Sequence, residues 1–146
     1  TFDIAPRAGA AAFDDSAWRV LEPDRLDDEK LGAGKLCFAW YRIRVTVPER
    51  VGALATAGST ITFETVVDDY AEVWADGQLP IRLGAIGGQF AAGFNAPNRV
   101  VLTTDARPGQ TIQIAVFGVN APLSAPPDNF VFMRSAKLEF APAVAK

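Results

Sequence analysis

Apolar and polar side chains alternate with a period of two along most of this chain, and this alternation constrains the fold more than any other feature. Successive side chains of a β-strand point to opposite faces, so every second residue shares a surface. In residues 38–47 the shared apolar face consists of Ala39, Tyr41, Ile43, Val45 and Val47. The opposite face carries Trp40, Arg42 and Arg44. The pattern predicts a strand rather than a helix, and Pro48 ends it.

Further segments show strand patterns separated by turn residues: 60–67, 71–75, 78–83, 99–103, 111–119 and 130–140. Asp76-Gly77 joins two of them and predicts a tight hairpin, because both residues tolerate positive φ. Many short strands without a helical pattern predict an all-β fold, an antiparallel β-sandwich. We expect one domain over residues 1–146, with a loose N-terminal segment at 1–12.

Composition excludes several functional classes. The net charge is -3 and no basic run occurs, which argues against a nucleic-acid partner. No apolar run approaches the roughly 20 residues that span a bilayer, so we expect no membrane partner. The chain has no histidine, which removes Ser-His-Asp catalysis and imidazole-based zinc sites. Cys37 lies in an apolar stretch and is expected to be a buried, inert thiol.

Four blocks of the sequence carry a resemblance to a known family. They are Phe13-Asp14-Asp15-Ser16-x-Trp18, Trp40-Tyr41-Arg42-x-x-Val45-x-Val47-Pro48, Asp69-Tyr70-Ala71-Glu72-Val73-Trp74-Ala75-Asp76-Gly77 and Gly87-Gly88-Gln89-Phe90. In order and spacing they resemble the sugar-binding domain that precedes the barrel in family 2 glycoside hydrolases. The resemblance implies a jelly roll of the galactose-binding-domain-like type.

A second resemblance is carried by Gly34-Lys35-Leu36-Cys37-Phe38 and by Gly93-Phe94-Asn95-Ala96-Pro97-Asn98-Arg99-Val100. These blocks look like the accessory domain attached to some bacterial gluconolactonase-like β-propeller proteins. The resemblance covers the accessory domain and not the propeller, which carries the metal ligands. It therefore implies an accessory role rather than lactonase activity, and it names no ligand.

The order of the strands predicts where a binding site would lie. Antiparallel neighbours reverse direction at each turn, so the connections at 68–70, 84–98 and 120–129 should share the end of the sandwich where strand 38–47 begins. We call this end the upper pole. Its candidate sugar-binding residues offer carboxylate, amide or aromatic groups: Asp68, Asp69, Tyr70, Gln89, Phe90, Asn95, Asn98, Asn120, Asp128 and Asn129.

Each group of candidates also has a structural interpretation. Asp68 and Asp69 would serve equally well as caps of a tight turn. Phe90 would serve to tuck its glycine-rich loop onto the core. Asparagines such as Asn98 and Asn120 commonly satisfy backbone groups in loops.

A second candidate surface is the outward stripe formed by Trp40, Arg42, Arg44 and Trp74. Exposed tryptophan and arginine are enriched at interfaces, so this stripe predicts a docking face for a partner domain. The alternative is cross-strand pairing of the arginines with Glu72 on a neighbouring strand.

The leading hypothesis is a non-catalytic carbohydrate-binding or accessory module of a larger carbohydrate-active or lactonase-like protein. Its expected partner is carbohydrate or an adjacent catalytic domain, and its expected location is secreted or periplasmic in a bacterium. The alternatives are a purely structural or oligomerisation domain, and a small glycan hydrolase using Asp69 and Asp128. We expect no cofactor. Calcium is the one metal considered, although no compact Asp-x-Asp-x-Asp spacing occurs.

Overall fold

The computed structural model describes residues 7–68, 70–79, 96–120 and 129–143. These ranges hold strands and one 3-10 turn, Leu26–Asp28, and no α-helix. The strands are β1 (Cys37–Thr46), β2 (Arg50–Val51), β3 (Leu54–Ala55), β4 (Thr60–Asp68), β5 (Tyr70–Ala75), β6 (Asn98–Thr103), β7 (Thr111–Asn120) and β8 (Phe132–Ala141). Across the described ranges, no helix is long and apolar enough to cross a membrane.

The strands form two three-stranded antiparallel sheets and one small hairpin. One sheet has the order β1-β7-β5, the other has the order β6-β4-β8, and β2 pairs only with β3. The expectation of an all-β, antiparallel fold is confirmed, and the arrangement is consistent with a β-sandwich. The jelly-roll and galactose-binding-domain-like details stay predictions.

Alternation along the strands sorts the side chains as the sequence predicts. On β4, Ile61, Phe63, Thr65 and Val67 are buried, whereas the residues between them are half-exposed. The buried apolar residues of β4 pack with Ile112, Ile114 and Val116 of β7 in one cluster shared by both sheets. Burial of this apolar surface is the main stabilising contribution to the fold.

The hairpin after β5 also forms as predicted. Asp76 and Gly77 have φ values of 47° and 79°, and Ala75 and Gln78 exchange both backbone hydrogen bonds. Positive φ at both central positions matches the right-handed twist of the flanking strands. The segment predicted at 78–83 lies outside the described residues from position 80 onward. The β2–β3 hairpin has no counterpart in the sequence-based expectations.

Tyr41 places a hydroxyl inside the sandwich. It is packed against the core cluster, and its Oη has no hydrogen-bond partner within the described part of the chain. Burial raises the pKa of Tyr41 to about 12, because the phenolate would lose its hydration. The folded state therefore holds this proton more tightly than the unfolded chain does.

Replacing Tyr41 with phenylalanine should change alkaline stability much more than neutral stability. The buried neutral phenol contributes its full share to the free energy of unfolding when the pH is below the ordinary pKa of 10. This contribution is lost as the pH rises toward 12. Urea unfolding should therefore show the native protein losing about 2 kcal/mol more than Tyr41→Phe over this interval. At neutral pH the two should agree within about 1 kcal/mol, which is the net contribution of a single neutral hydrogen bond. Parallel stability curves up to the alkaline limit would contradict this account.

Candidate functional site: an aromatic pocket under an N-terminal strap

The two sheets present very different outer faces. On β6-β4-β8 the outer face carries an ion-pair ladder, in which Arg99 contacts Glu64 and Glu139 at 2.5 Å each. Arg99 and Glu139 are exposed to solvent and Glu64 is partly buried, and surface pairs of this kind contribute little to stability. On β1-β7-β5 the corresponding face is aromatic. An aromatic outer face of this kind indicates a site for a ligand or a partner, so the candidate site lies on the sheet β1-β7-β5.

Aromatic side chains form a connected row across β1, β7 and β5. The ring centroids of Trp40 and Phe117 lie 4.8 Å apart, and those of Trp40 and Trp74 lie 6.3 Å apart. Phe38 extends the row by stacking on Phe117 at 5.6 Å. Strand register explains the row, since Trp40 of β1 lies opposite Phe117 of β7, which lies opposite Glu72 of β5. Ring contacts of this kind stabilise the face and fix the rotamers.

Residues 7–15, which we call the strap, pass over this face and are held there by Arg42. The guanidinium donates to the backbone carbonyls of Ala8, Ala10, Ala11 and Phe13, and its Nε donates to Asp15 at 2.8 Å. All five guanidinium N–H groups thus have acceptors. The Arg42 side chain is only 2 % exposed.

The hydrogen bond from Arg42 lowers the pKa of Asp15 below its ordinary value of 3.8. A carboxyl group whose pKa is lowered by folding stabilises the folded state at any pH above its ordinary pKa. This stabilisation is lost as the pH falls through the lowered pKa. The strap is therefore held by an ionised carboxylate at neutral pH.

This arrangement bears on two of the predictions. Ala8 is fully buried and the carbonyls of the strap are bonded, so the described part of the segment at 1–12 is not loose. Arg42 does not lie on a free docking face either, because its donors are used within the chain. Arg44 is 63 % exposed and stays near Asp15 at 3.8 Å. Periodicity predicted correctly which way these side chains point, but not that the chain itself covers them.

Between the strap and the sheet lies a pocket of about 470 Å³. Its lining combines the aromatic row, the strap and the hairpin: Arg7, Gly9, Ala10, Trp40, Glu72, Trp74, Gly77 and Phe117. The volume falls within the roughly 300–1,000 Å³ that small-molecule sites occupy. A second depression, of about 520 Å³, lies at the end of the sandwich opposite the upper pole. It is lined by Thr103, Asp105, Arg107 and Gln110 and has no aromatic wall.

Polar groups at the aromatic pocket are few and specific. Glu72 accepts a hydrogen bond from Trp74 Nε1 at 3.3 Å, which fixes its carboxylate at the pocket wall. Trp40 Nε1 is buried and has no hydrogen-bond partner within the described ranges. A mostly aromatic cavity with a few fixed polar groups is the usual composition of a site for a small organic ligand.

The structure describes four of the upper-pole candidates and brings them to one end of the sandwich. Register places Asn120 opposite Cys37, Asp68 opposite Phe132 and Asn98 opposite Thr65. Asn129 accepts a hydrogen bond from Gly34 N at 2.6 Å through its carbonyl. The strand parity argument therefore holds for these residues.

The two buried asparagines serve the backbone. Asn98 Nδ2 donates to the Ala71 carbonyl at 3.1 Å, which ties β6 to β5 across the two sheets. Asn120 Nδ2 donates to the Lys35 carbonyl at 2.6 Å. These bonds match the structural interpretation of the asparagines, and they close the upper end of the sandwich.

Asp68 has a partner that the sequence did not indicate. Its carboxylate is buried and pairs with Arg134 at 2.7 Å, while Arg134 also lies 4.8 Å over the ring of Phe132. The ion pair stabilises this buried carboxylate through Oδ2, whereas Oδ1 is buried without a hydrogen-bond partner among the described residues. The remaining upper-pole candidates lie outside the described residues: Asp69, the side chain of Tyr70, Gln89, Phe90, Asn95 and Asp128.

Carboxyl groups in the described ranges give no sign of a general acid. Those with a clearly shifted pKa are Asp14, Asp15 and Glu139, and hydrogen bonding lowers the pKa of each. A general acid needs a raised pKa.

Burial raises the pKa of the Cys37 thiol, which disfavours the thiolate. The same ranges hold no group of three or more carboxylate or thiol side chains placed to bind a metal ion.

Sequence reasoning missed Glu72, Phe117 and Gly9 as members of a common pocket. Strand alternation in the sequence showed that Trp40 and Trp74 point outward. The strand order β1-β7-β5, had it been known, would have placed Phe117 on the same face. No signal in the sequence placed Gly9 on the same face, because the contact depends on how the strap folds back.

Comparison with known proteins adds little to this picture. No protein-family model matches the chain, and no curated protein sequence matches it. One solved structure, Faecalibacterium prausnitzii beta-glucuronidase, is 26 % identical with a TM-score of 0.39. The match covers 55 % of this chain and 11 % of that chain. The fold class therefore rests on the strands and their register, and the candidate site rests on its own geometry.

Proposed function

We propose that this chain is a non-catalytic carbohydrate-binding module that takes a sugar ring into the aromatic pocket beneath the strap. The observation that carries the proposal is the pocket itself, about 470 Å³ between Trp40, Trp74 and Phe117 with Glu72 at its wall. An aromatic ring suits the apolar face of a sugar, and a carboxylate accepts hydrogen bonds from its hydroxyls.

The proposal includes an accessory role. Such a module raises the local concentration of substrate for a catalytic domain to which it is linked. We extend the proposal to export into the medium or periplasm, where polysaccharides are met.

A sugar panel tests the proposal directly. Cello-, xylo- and galacto-oligosaccharides are titrated by calorimetry and by tryptophan fluorescence, since two tryptophans line the pocket. We expect at least one sugar to bind with a Kd in the micromolar to millimolar range, which corresponds to a binding free energy of about 4–8 kcal/mol. Glu72→Gln should weaken binding roughly tenfold, because one charged acceptor is lost.

Glu139→Gln is the matched control for this experiment. Glu139 is a solvent-exposed glutamate on the outer face of the other sheet, where it pairs with Arg99. The control should bind sugar as the native protein does. If no sugar of the panel binds, the proposal is wrong. If a sugar binds with the same affinity to the native protein and to Glu72→Gln, the site lies elsewhere, with the upper pole as the next candidate.

A second candidate function is docking onto another protein domain. Leu36 is 60 % exposed and Phe38 is 39 % exposed beside the aromatic row, which leaves apolar surface next to the pocket. Exposed apolar area of this kind is common at protein interfaces. The Trp74→Ala variant described below separates the two functions.

A further inference from the structure

The strap contacts the pocket floor so closely that it acts as a wall. A Cβ added at Gly9 would lie 2.9 Å from Trp74 Cδ2 and 3.3 Å from Trp40 Cη2. Only a residue without a side chain fits at such distances. Farther along, a Cβ at Gly77 would lie 2.9 Å from Ala11 N, so the strap also abuts the hairpin. The strap therefore bounds the pocket along the side that runs from the tryptophan rings to the hairpin.

The aromatic rings form a corner rather than a flat platform. The planes of Trp40 and Trp74 are inclined at 60°, and those of Trp40 and Phe117 at 44°. A flat polysaccharide surface needs coplanar rings that it contacts at the same time. An internal stretch of a single chain needs a cleft that is open at both ends. This pocket offers neither, because the strap blocks its hairpin end.

Arg42 keeps that wall in place. Its guanidinium is buried and bonded to successive carbonyls of the strap, and it lies 5.4 Å from the ring of Phe13. Short backbone hydrogen-bonded turns, Ala10 N to Arg7 O and Phe13 N to Ala10 O, stiffen the same segment. The wall is therefore a built feature of the fold.

We propose that the pocket recognises the end of a sugar chain, one terminal ring, and that Arg42 enforces this choice by holding the strap as a blocking wall. The inference rests on the proposed carbohydrate binding and deepens it. Arg42 is a positioning residue here, since it contacts the strap and not the sugar. Gly9 is the residue that lets the wall seat against Trp74.

The test measures affinity as a function of chain length. Disaccharide, tetrasaccharide and hexasaccharide of the cello-, xylo- and galacto- series are titrated, and adsorption to the corresponding insoluble polysaccharides is measured. For the native protein we expect affinities that agree within about twofold along a series and no adsorption to the polymer surface. Arg42→Met should weaken disaccharide binding by roughly tenfold and should make affinity increase with chain length.

Hydrogen exchange at the amides of residues 8–13 reports the strap independently of any sugar. Arg42→Met should exchange faster there, whereas Arg44→Met should resemble the native protein, because the Arg44 side chain is 63 % exposed and lies 3.8 Å from Asp15. Gly9→Ala provides a second route if Arg42→Met fails to fold. Its added methyl group pushes the strap off Trp74 without removing a buried charge, and it should shift the length dependence in the same direction.

The outcomes separate this inference from the proposed function. Native affinity that increases steadily with chain length would overturn terminal recognition while leaving carbohydrate binding intact. Faster exchange of the strap in Arg42→Met or Gly9→Ala, with an unchanged length profile, would overturn the role of the strap. Failure of every sugar to bind would overturn the proposed function and this inference together.

Discussion

Trp74→Ala should strongly weaken sugar binding while the domain stays folded. Trp74 lines the pocket, where a Cβ added at Gly9 would lie 2.9 Å from its ring. Its ring centroid lies 6.3 Å from that of Trp40, and its Nε1 donates a hydrogen bond to Glu72. Truncation removes an aromatic wall worth about 1.5–3 kcal/mol of contact and frees the carboxylate that it positions. We expect a loss of roughly tenfold to a hundredfold or more in Kd, measured by calorimetry.

Trp74→Phe is the graded comparison for that variant. It keeps an aromatic face and loses the Nε1–Glu72 hydrogen bond, so it should bind with an intermediate affinity. Far-ultraviolet circular dichroism should be the same for all three proteins, because Trp74 is only half-buried on the outer face. Equal affinity in the native protein and Trp74→Ala would place the sugar elsewhere.

Gel filtration of the same variants tests the docking alternative. If the aromatic face mediates association with a second domain or copy, Trp74→Ala should shift the elution of the native complex toward the smaller species. An association that depends on Trp74, in a protein that binds no sugar of the panel, would favour the structural role. Binding of sugar with no change in elution would favour the carbohydrate module.

Phe63→Ala should have the largest effect on stability of any single truncation in the core. Phe63 is 1 % exposed and is the largest fully buried side chain among the described residues, opposite Val100 and Leu138 on the neighbouring strands. Removing a buried phenylalanine costs about 3–5 kcal/mol through lost transfer energy and the cavity left behind. For a domain of this size the melting temperature should fall by roughly 6–20 °C.

Val101→Ala is the matched control, since Val101 lies on β6 next to Val100 but is 53 % exposed. Its truncation should change stability by no more than about 0.5 kcal/mol. The pair of variants tests the two-layer core directly. A loss of less than 1 kcal/mol in Phe63→Ala, measured by urea unfolding, would contradict a core shared between the two sheets.

Much of the fold was predictable because strand alternation is a local signal. The faces of β1 and β4, the Asp76-Gly77 hairpin and the gathering of strand ends at the upper pole each follow from neighbours in the sequence. The strand bounds differ from the expectations by one or two residues. Such shifts are ordinary, since terminal pairs form or break with the partner strand.

The candidate site was less predictable. Trp40 and Trp74 were recognised as outward residues and interpreted as a docking face, whereas the structure places them at a pocket wall. The upper-pole hypothesis gave the right end of the sandwich for Asp68, Asn98 and Asn120. It did not anticipate that Arg134 would pair with Asp68 or that the asparagine amides would serve the backbone.

What the sequence alone determined is the period of two, and through it which side chains of each strand enter the core and which remain outside. The tertiary structure decided what covers the outer face. Arg42 binds carbonyls of Ala8, Ala10, Ala11 and Phe13, and a carbonyl is the same acceptor on every residue. No side-chain pattern can mark such partners in advance, so the strap and its pocket exist only once the chain has folded back on itself.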